Sequence, residues 1–283
     1  MAQLVPRQPA LADSFGRRWD WLRRQPAFRR RPVAVLARLA LWRARCLVGR
    51  WTEIELERDG LRLRLPPEWR GVAKLLYAFR EDHEPELTFL RRHLRPGMVV
   101  ADVGACYGIY TLVAARLVEP GGQVLAFEPA ATSFGRLAAN VKRNGLANVR
   151  LFRMAAWDEC GSAPLFHACD PSRNSLDRAR CEASGWEIVR LGRLDDVLEA
   201  CDPGRLDLLK VDVEGAEAEA LRGAVRSLRT WRPVVIFEKN SPAAADLLGT
   251  LGYELYRVDE AGRLVPALAR AGGNLVAVSR QTL

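Results

Sequence analysis

The sequence predicts an α/β fold built on a mostly parallel sheet, and three observations carry that expectation. From Met98 onward, short and nearly continuous apolar runs alternate with helical stretches, the pattern of strands buried on both faces. A turn with glycines at 104 and 108 joins the first of those runs to a helix. The tail GYELYRVDEAGRLVPALARAGGNLVAVSR offers two further strands with a Gly-rich connection, which fits an antiparallel hairpin closing the sheet.

Taken in order, residues 17–50 read as Arg-rich helical segments carrying Trp19, Trp21 and Trp42 and broken at Pro26 and Pro32. The apolar run Val33–Val48 is interrupted by Arg38, Arg43 and Arg45 and is too short to span a bilayer. Two readings of this extension stay open: a helix packed on the core or on a second copy in a homo-oligomer, or a peripheral anchor on an anionic membrane surface. Residues 52–65, TEIELERDGLRLRL, alternate apolar and polar on both sides of Asp59-Gly60, which predicts a β-hairpin with a type I′ turn. A helix is expected from Pro85 to Leu94, stopped by Pro96-Gly97. The core strands are Val99–Val103, Gln123–Phe127, Val149–Arg153, Leu206–Val213 and Val234–Glu238, with helices at Tyr110–Leu117, Ser133–Arg143, Asp195–Ala200 and Ala216–Leu228. With the two tail strands the sheet is seven-stranded. The chain thus divides into a basic helical extension (1–50), a hairpin and helix leading into the core (51–95), and an α/β domain (96–283).

Charge is unevenly placed. The net charge is +9, yet residues 1–50 hold twelve Arg, no Lys and two Asp, which leaves 31 basic against 32 acidic side chains in the rest. A nucleic-acid enzyme carries its basic surface around the cleft that grips phosphate, so a near-neutral core argues against that class. Arg outnumbers Lys by 39 to 4, a bias that genomic composition alone can produce. The six cysteines, Cys46, Cys106, Cys160, Cys169, Cys181 and Cys201, show no C-x-x-C pair or zinc spacing. No structural metal or disulfide set is expected, and the start of the chain lacks the apolar run of a signal peptide, so a cytoplasmic location is expected.

The segment VVADVGACYGIYT places Asp102 at the end of the first core strand, followed by Gly104 and Gly108 and a helix start, where doubly wound sheets bind ligands. A dinucleotide fingerprint would need glycine where Cys106 and Ile109 stand, so a pyrophosphate cofactor is disfavoured. An acidic residue there repels phosphate and attracts an ammonium group. Glu128 ends the second strand, where a carboxylate accepts the ribose hydroxyl protons of an adenosine. Asp158, just past the third strand, is placed to accept from the adenine amino group.

These residues resemble a family. DVGACYGIYT, VLAFEPA, NVKRNGLANV and above all LDLLKVDVEGAEAEAL with the following RPVVIFE are similar to the FkbM-type methyltransferases, over about residues 80–280. The resemblance implies a Rossmann-like class I methyltransferase core that binds S-adenosyl-L-methionine and methylates hydroxyls of natural products, sugars or glycolipids. It assigns cofactor positions to Asp102, Gly104, Gly108, Glu128 and Asp158, and Ala105, Tyr107, Thr111, Pro129 and Asp212 are further cofactor candidates on the same loops. One departure is Cys106, where the family commonly has Asn.

A hydroxyl acceptor needs a place for its proton. The fourth strand ends in Lys210-Val211-Asp212-Val213-Glu214, and the period of two puts Lys210, Asp212 and Glu214 on one side, with Glu238 and Lys239 at the end of the next strand. Asp212 or Glu214 is the expected proton acceptor, with Lys210 steadying oxyanion charge. A structural Lys210–Glu214 ion pair is the alternative, and His83 and His167 are alternative bases. Asp212, Glu214 and Glu238 are oxygen ligands of the kind Mg²⁺ takes, but no spacing demands the ion and none is expected. Asn174-Ser175 is a candidate acceptor wall or simply a turn. The signatures of base methylation, an Asn or Asp before Pro-Pro at the fourth strand or a Pro-Cys nucleophile, are absent, which leaves RNA methylation and a non-catalytic membrane-surface binding module as the competing functions.

Overall fold

A computed structural model describes residues 11–69, 71–181, 184–267 and 274–280. The extension forms α1 (Leu11–Arg24), α2 (Pro26–Arg30) and α3 (Pro32–Leu47), with Pro26 and Pro32 each at the first helical position, where a missing N–H costs nothing. Val35, Trp42 and Cys46 turn one face of α3 inward, and the Trp42 indole donates to the Glu68 carbonyl at 2.7 Å.

The hairpin pairs β1 (Thr52–Leu56) with β2 (Leu61–Leu65), and the inward leucines at 56, 61, 63 and 65 are fully buried. Each contributes roughly 1.5–3 kcal/mol by leaving water. The loop differs from the expected type I′ turn. Leu56 faces Leu61 across a four-residue connection in which only Gly60, at φ +61°, is left-handed, whereas type I′ needs two such residues. A helix not anticipated from the sequence, α4 (Val72–Phe79), packs on α3 through the Trp42 and Tyr77 rings, 5.0 Å apart, and is followed by a 3-10 turn (Arg80–His83) and α5 (Pro85–His93).

Then comes the alternation: β3 (Val99–Val103), α6 (Ile109–Val118), β4 (Gln123–Phe127), α7 (Ala131–Arg143) and β5 (Val149–Phe152). Asn140 of α7 and Asn144, which caps it, reach the outer edge of β2, their Oδ1 atoms accepting from the amides of Arg64 (2.9 Å) and Arg62 (2.7 Å). The segment after β5, where no strand is expected from the sequence, forms a second sheet in which β8 (Gly185–Gly192) lies between β6 (Ala155–Ala156) and β7 (Gly161–His167). The chain returns through α8 (Leu194–Cys201) to β9 (Leu208–Val211). The helix expected over Ala216–Leu228 is two, α9 (Glu217–Arg222) and α10 (Val225–Trp231), with a break at Gly223, where the Trp157 carbonyl packs so close that no Cβ fits. Next come β10 (Val234–Glu238), α11 (Pro242–Thr250), β11 (Tyr253–Val258), β12 (Leu264–Pro266) and β13 (Asn274–Ser279).

The main sheet has the order β12-β11-β13-β10-β9-β3-β4-β5, with β13 antiparallel to both neighbours. It has eight strands, not seven. Asp259 accepts from the amides of Ala261 and Arg263 and folds the chain back so that Leu264–Pro266 adds an edge strand, the one place a sheet tolerates proline. One apolar cluster fills the side of the sheet facing the hairpin, α5 and α6, and another fills the side covered by α8 to α11.

Candidate active site

β3 and β9 are neighbours in register, with Asp102 opposite Lys210, while β4 and β5 extend the sheet on one side and β10 on the other. Strand order reverses between them, so the loops after their carboxyl ends diverge and leave a crevice. The resulting cleft, about 1190 Å³ with its open mouth, is lined by residues of both loops and of α4, β6 and the 170–176 segment.

The loop after β3 is held by close approach. Gly104, at φ +79°, lies against the Asp212 carbonyl, where any Cβ would overlap it, and Gly108, at φ +91°, starts α6 with Leu137 in the space of its missing side chain. Of the residues proposed for cofactor contact, Gly104, Ala105, Glu128, Pro129 and Asp212 line the cleft. Tyr107, Gly108 and Thr111 do not; they support it from behind. Thr111 donates to Asp102 at 2.6 Å, and the buried Tyr107 hydroxyl donates to Glu68 at 2.5 Å.

Asp102 also lies beneath the wall. It is 1% exposed, its Oδ1 has no hydrogen-bond partner, and the Lys210 ammonium is 3.6 Å away. The ammonium is 3.2 Å from Asp212 and 4.5 Å from the centre of the Tyr110 ring. Burial works against the charged lysine, but Asp212 and Asp102 together outweigh it and hold its pKa above the ordinary value. Two carboxylates and one ammonium leave this cluster net negative, suited to a cationic ligand.

Glu128 is buried, its two oxygens accepting from the amides of Cys106 (2.9 Å) and Ala130 (3.0 Å). Burial pushes its carboxyl up to about 7 despite those two donors. Asp158 stands elsewhere: it pairs with Arg222 at 3.0 Å and is not on the cleft wall, because β6 diverts the chain after β5 into the second sheet. Met154, Ala155 and Ala156 line the cleft at that point instead.

The β9 strand stops at Val211, so the side-sharing expected for three residues holds for Lys210 and Asp212 only. Glu214 sits in the following turn at φ +41°, lines the cleft, and is not paired with Lys210. Desolvation, with Glu238 and Asp212 nearby, pushes its carboxyl up to about 7. Glu238 is raised as well, by burial first and then Glu217 and Asp212, and accepts from the Asn240 amide at 3.1 Å; neither it nor Lys239 is on the cleft wall.

Among the acceptor candidates, Asn174 lines the cleft while its Oδ1 accepts from the Ala168 amide. Ser175 does not: buried, it donates to the Glu214 carbonyl at 3.1 Å and so ties the 170–176 segment to the turn after β9. His167 ends β7, off the wall, with Glu187 at 3.5 Å. His83 closes the 3-10 turn, and its side chain lies outside what is described. Sequence reasoning missed Glu84, Tyr110 and Asp170, all on the wall. The Tyr110 hydroxyl donates to Glu84 at 3.0 Å, and the acidic helix start E-P-E was the signal that could have drawn attention there. Among the described residues no group of three or more His, Cys, Asp or Glu is arranged to hold a metal ion.

A family model described as the methyltransferase FkbM domain matches residues 102–260, more than half the chain and all of the cleft-forming loops after β3, β4 and β9. The chain belongs to the FkbM methyltransferase family. Its FkbM relatives include 31-O-demethyl-FK506 methyltransferase FkbM of Streptomyces tacrolimicus, 35% identical over 184 residues that span 54% of this chain and 69% of that protein. Methyltransferase sdnD of Sordaria araneosa is 30% identical over 197 residues, 56% and 74% of the two chains. Among solved structures, methyltransferase FkbM from Methylobacillus flagellatus KT shares 16% identity with a TM-score of 0.45, over 72% of this chain and 54% of that one. Within this FkbM core, the segments outside residues 102–260 that reach the cleft are α4, with Val72 and Leu75, and Glu84.

Proposed function

We propose that this FkbM-family chain is an S-adenosyl-L-methionine-dependent O-methyltransferase acting on a hydroxyl of a small natural product, a sugar or a glycolipid. The observation that carries the reading is one cleft that places Glu128 on the β4 side and Glu214 on the β9 side, two of the five carboxylates on its wall. The donor set fits the cofactor: Glu128 keeps lone pairs for ribose hydroxyls, Met154 to Ala156 offer an apolar strip for the adenine ring, and the net-negative Asp102–Lys210–Asp212 cluster suits an ammonium and a sulfonium. When bound, S-adenosyl-L-methionine supplies an electrophilic methyl group.

The protein's own residues then orient the acceptor and manage its proton. Glu214, poised near neutrality, accepts the hydroxyl proton, a role worth roughly 10²–10⁴ in rate. Lys210, held charged by its two carboxylates, steadies the oxygen as that proton leaves. Asn174, Ser172 and Leu176 form the wall on the acceptor side. The O-methylation named for the Streptomyces relative supports a hydroxyl target, and the near-neutral core gives no grip for RNA.

Incubation with S-adenosyl-L-methionine carrying a labelled methyl group and a panel of hydroxylated macrolides, sugars and glycolipids tests this. A labelled methoxy product is expected. Transfer to nitrogen or carbon, or to RNA alone, would overturn the assignment.

A further inference from the structure

The solvent side of α3 is apolar along its length. Val33, Leu36, Ala37, Ala40, Leu41, Ala44, Leu47 and Val48 recur at helical spacing, and every one is exposed, Val33 at 79% and Leu47 and Val48 at 74%. The opposite side, with Val35, Trp42 and Cys46, already packs on the protein, so α3 is apolar on both faces. An ordinary surface helix does not look like this. Contiguous exposed apolar surface marks a place where something binds.

The surroundings say what binds. Residues 11–50 contain eleven Arg and two Asp. Arg23, Arg24, Arg31, Arg43 and Arg50 are exposed, and among the described residues none of them pairs with a carboxylate, whereas Arg29 and Arg30 pair with Glu260 and Asp82. Trp19, Trp21 and Trp51 are also exposed, at 38%, 46% and 42%. A second copy packed about a twofold axis would bring this arginine cluster onto itself, which like-charge repulsion opposes. No described helix is long and apolar enough to cross a membrane. An apolar stripe too short to span, flanked by unpaired arginines and half-exposed tryptophans, is the composition of a helix lying in a lipid headgroup layer.

We propose that the outer face of α3 docks this protein on an anionic lipid bilayer, the stripe from Val33 to Val48 entering the headgroup–acyl boundary and the surrounding arginines contacting lipid phosphates. The cleft is one helix away. α4, which packs on α3, supplies Val72 and Leu75 to its wall. The docking surface is independent of the proposed reaction, and its test needs no acceptor.

The experiment is co-sedimentation of the full-length protein with vesicles of phosphatidylglycerol and phosphatidylcholine, and with vesicles of phosphatidylcholine alone. Binding is expected to the anionic vesicles only, and to weaken at least tenfold between 0.1 M and 1 M salt as the screening length falls from about 10 Å to about 3 Å. Two double variants are compared, Leu36→Asp with Leu41→Asp, and Arg43→Glu with Arg50→Glu. Each should bind anionic vesicles at least tenfold more weakly while its melting curve and its affinity for S-adenosylhomocysteine match the parent's. Failure of the parent to bind anionic vesicles, or undiminished binding by a variant that folds, overturns the proposal. So does light scattering that shows the parent as a dimer which the leucine variant dissociates, since α3 is then the contact between copies. If the leucine variant does not fold, the arginine variant decides alone, because both of its positions are exposed.

Discussion

Gly104 lies so close under the carbonyl of Asp212 that no Cβ fits between them. The loops after β3 and β9 are therefore clasped backbone to backbone, and the cleft opens directly above the contact. Gly104→Ala adds both an overlap and a left-handed alanine, whose backbone alone costs about 1–2 kcal/mol. Urea denaturation should show a loss of more than about 2 kcal/mol, and cofactor affinity should fall with it. A variant with parental stability and affinity would mean that the two loops move apart freely.

Lys210 and Asp212 should respond unequally. Lys210→Met leaves Asp102 buried beside no cation, and removing one partner of a buried pair costs about 3–5 kcal/mol. Asp212, whose side chain is 40% exposed, should lose less than about 1 kcal/mol on Asp212→Asn. Equal losses in a denaturation series would show that the half-exposed Asp212 contact supports the cluster as much as the buried Lys210–Asp102 pair does.

Because Glu214 is pushed up to about 7, only its ionised form accepts a proton, and that form is lost below neutrality. Turnover should fall about tenfold per pH unit below 7 and level off above it. Glu214→Gln should lower the plateau by roughly 10²–10⁴ and remove the slope. A pH profile unchanged by the substitution would move the base to another group on the wall.

Glu128 and Asp158 make opposite predictions. The ribose hydroxyls favour ionised Glu128, which burial holds near 7, so cofactor binding at pH 6 should release a proton, measurable by calorimetry in buffers of differing ionisation enthalpy. Without ligand the sign is reversed: the folded protein prefers the protonated carboxyl, so stability from this group is present below the unfolded carboxyl range and is lost as pH rises through 7. Glu128→Gln should abolish both effects. Asp158→Asn, on the Arg222 ion pair, should leave affinity within twofold, and a large loss there would restore Asp158 to the cofactor site.

The parallel core was legible because Val99–Val103 and Val234–Glu238 are apolar runs bounded by turn residues, and both strands end where the pattern ends. Leu206–Val213 was read too long because its alternation continues in the sequence, while the backbone leaves the sheet at Val211 and turns left-handed at Glu214. The small sheet was invisible: Gly161–His167 has a proline at its centre, and Gly185–Gly192 exposes the large apolar Trp186 and Ile188 while burying Val189 and Leu191, so neither reads as a clean alternating strand. That omission also misplaced Asp158, since a residue after a core strand was assumed to face the cofactor. Glu84 and Tyr110 reached the wall through tertiary packing of α5 against α6, which no local pattern encodes.

The two asparagines at the end of α7 that bond to β2, Asn140 and the capping Asn144, have a consequence for how the protein behaves in a crowded solution. A two-stranded hairpin ordinarily presents unpaired backbone groups that another chain can extend into a ladder. Here Asn144 both accepts from the Arg62 amide and donates to its carbonyl, at 2.7 Å each, and Asn140 takes the amide of Arg64. Side-chain amides thus occupy the positions a third strand would use, and the β2 edge of the leucine-rich hairpin, which also carries the exposed Arg62 and Arg64, is closed to edge-on aggregation.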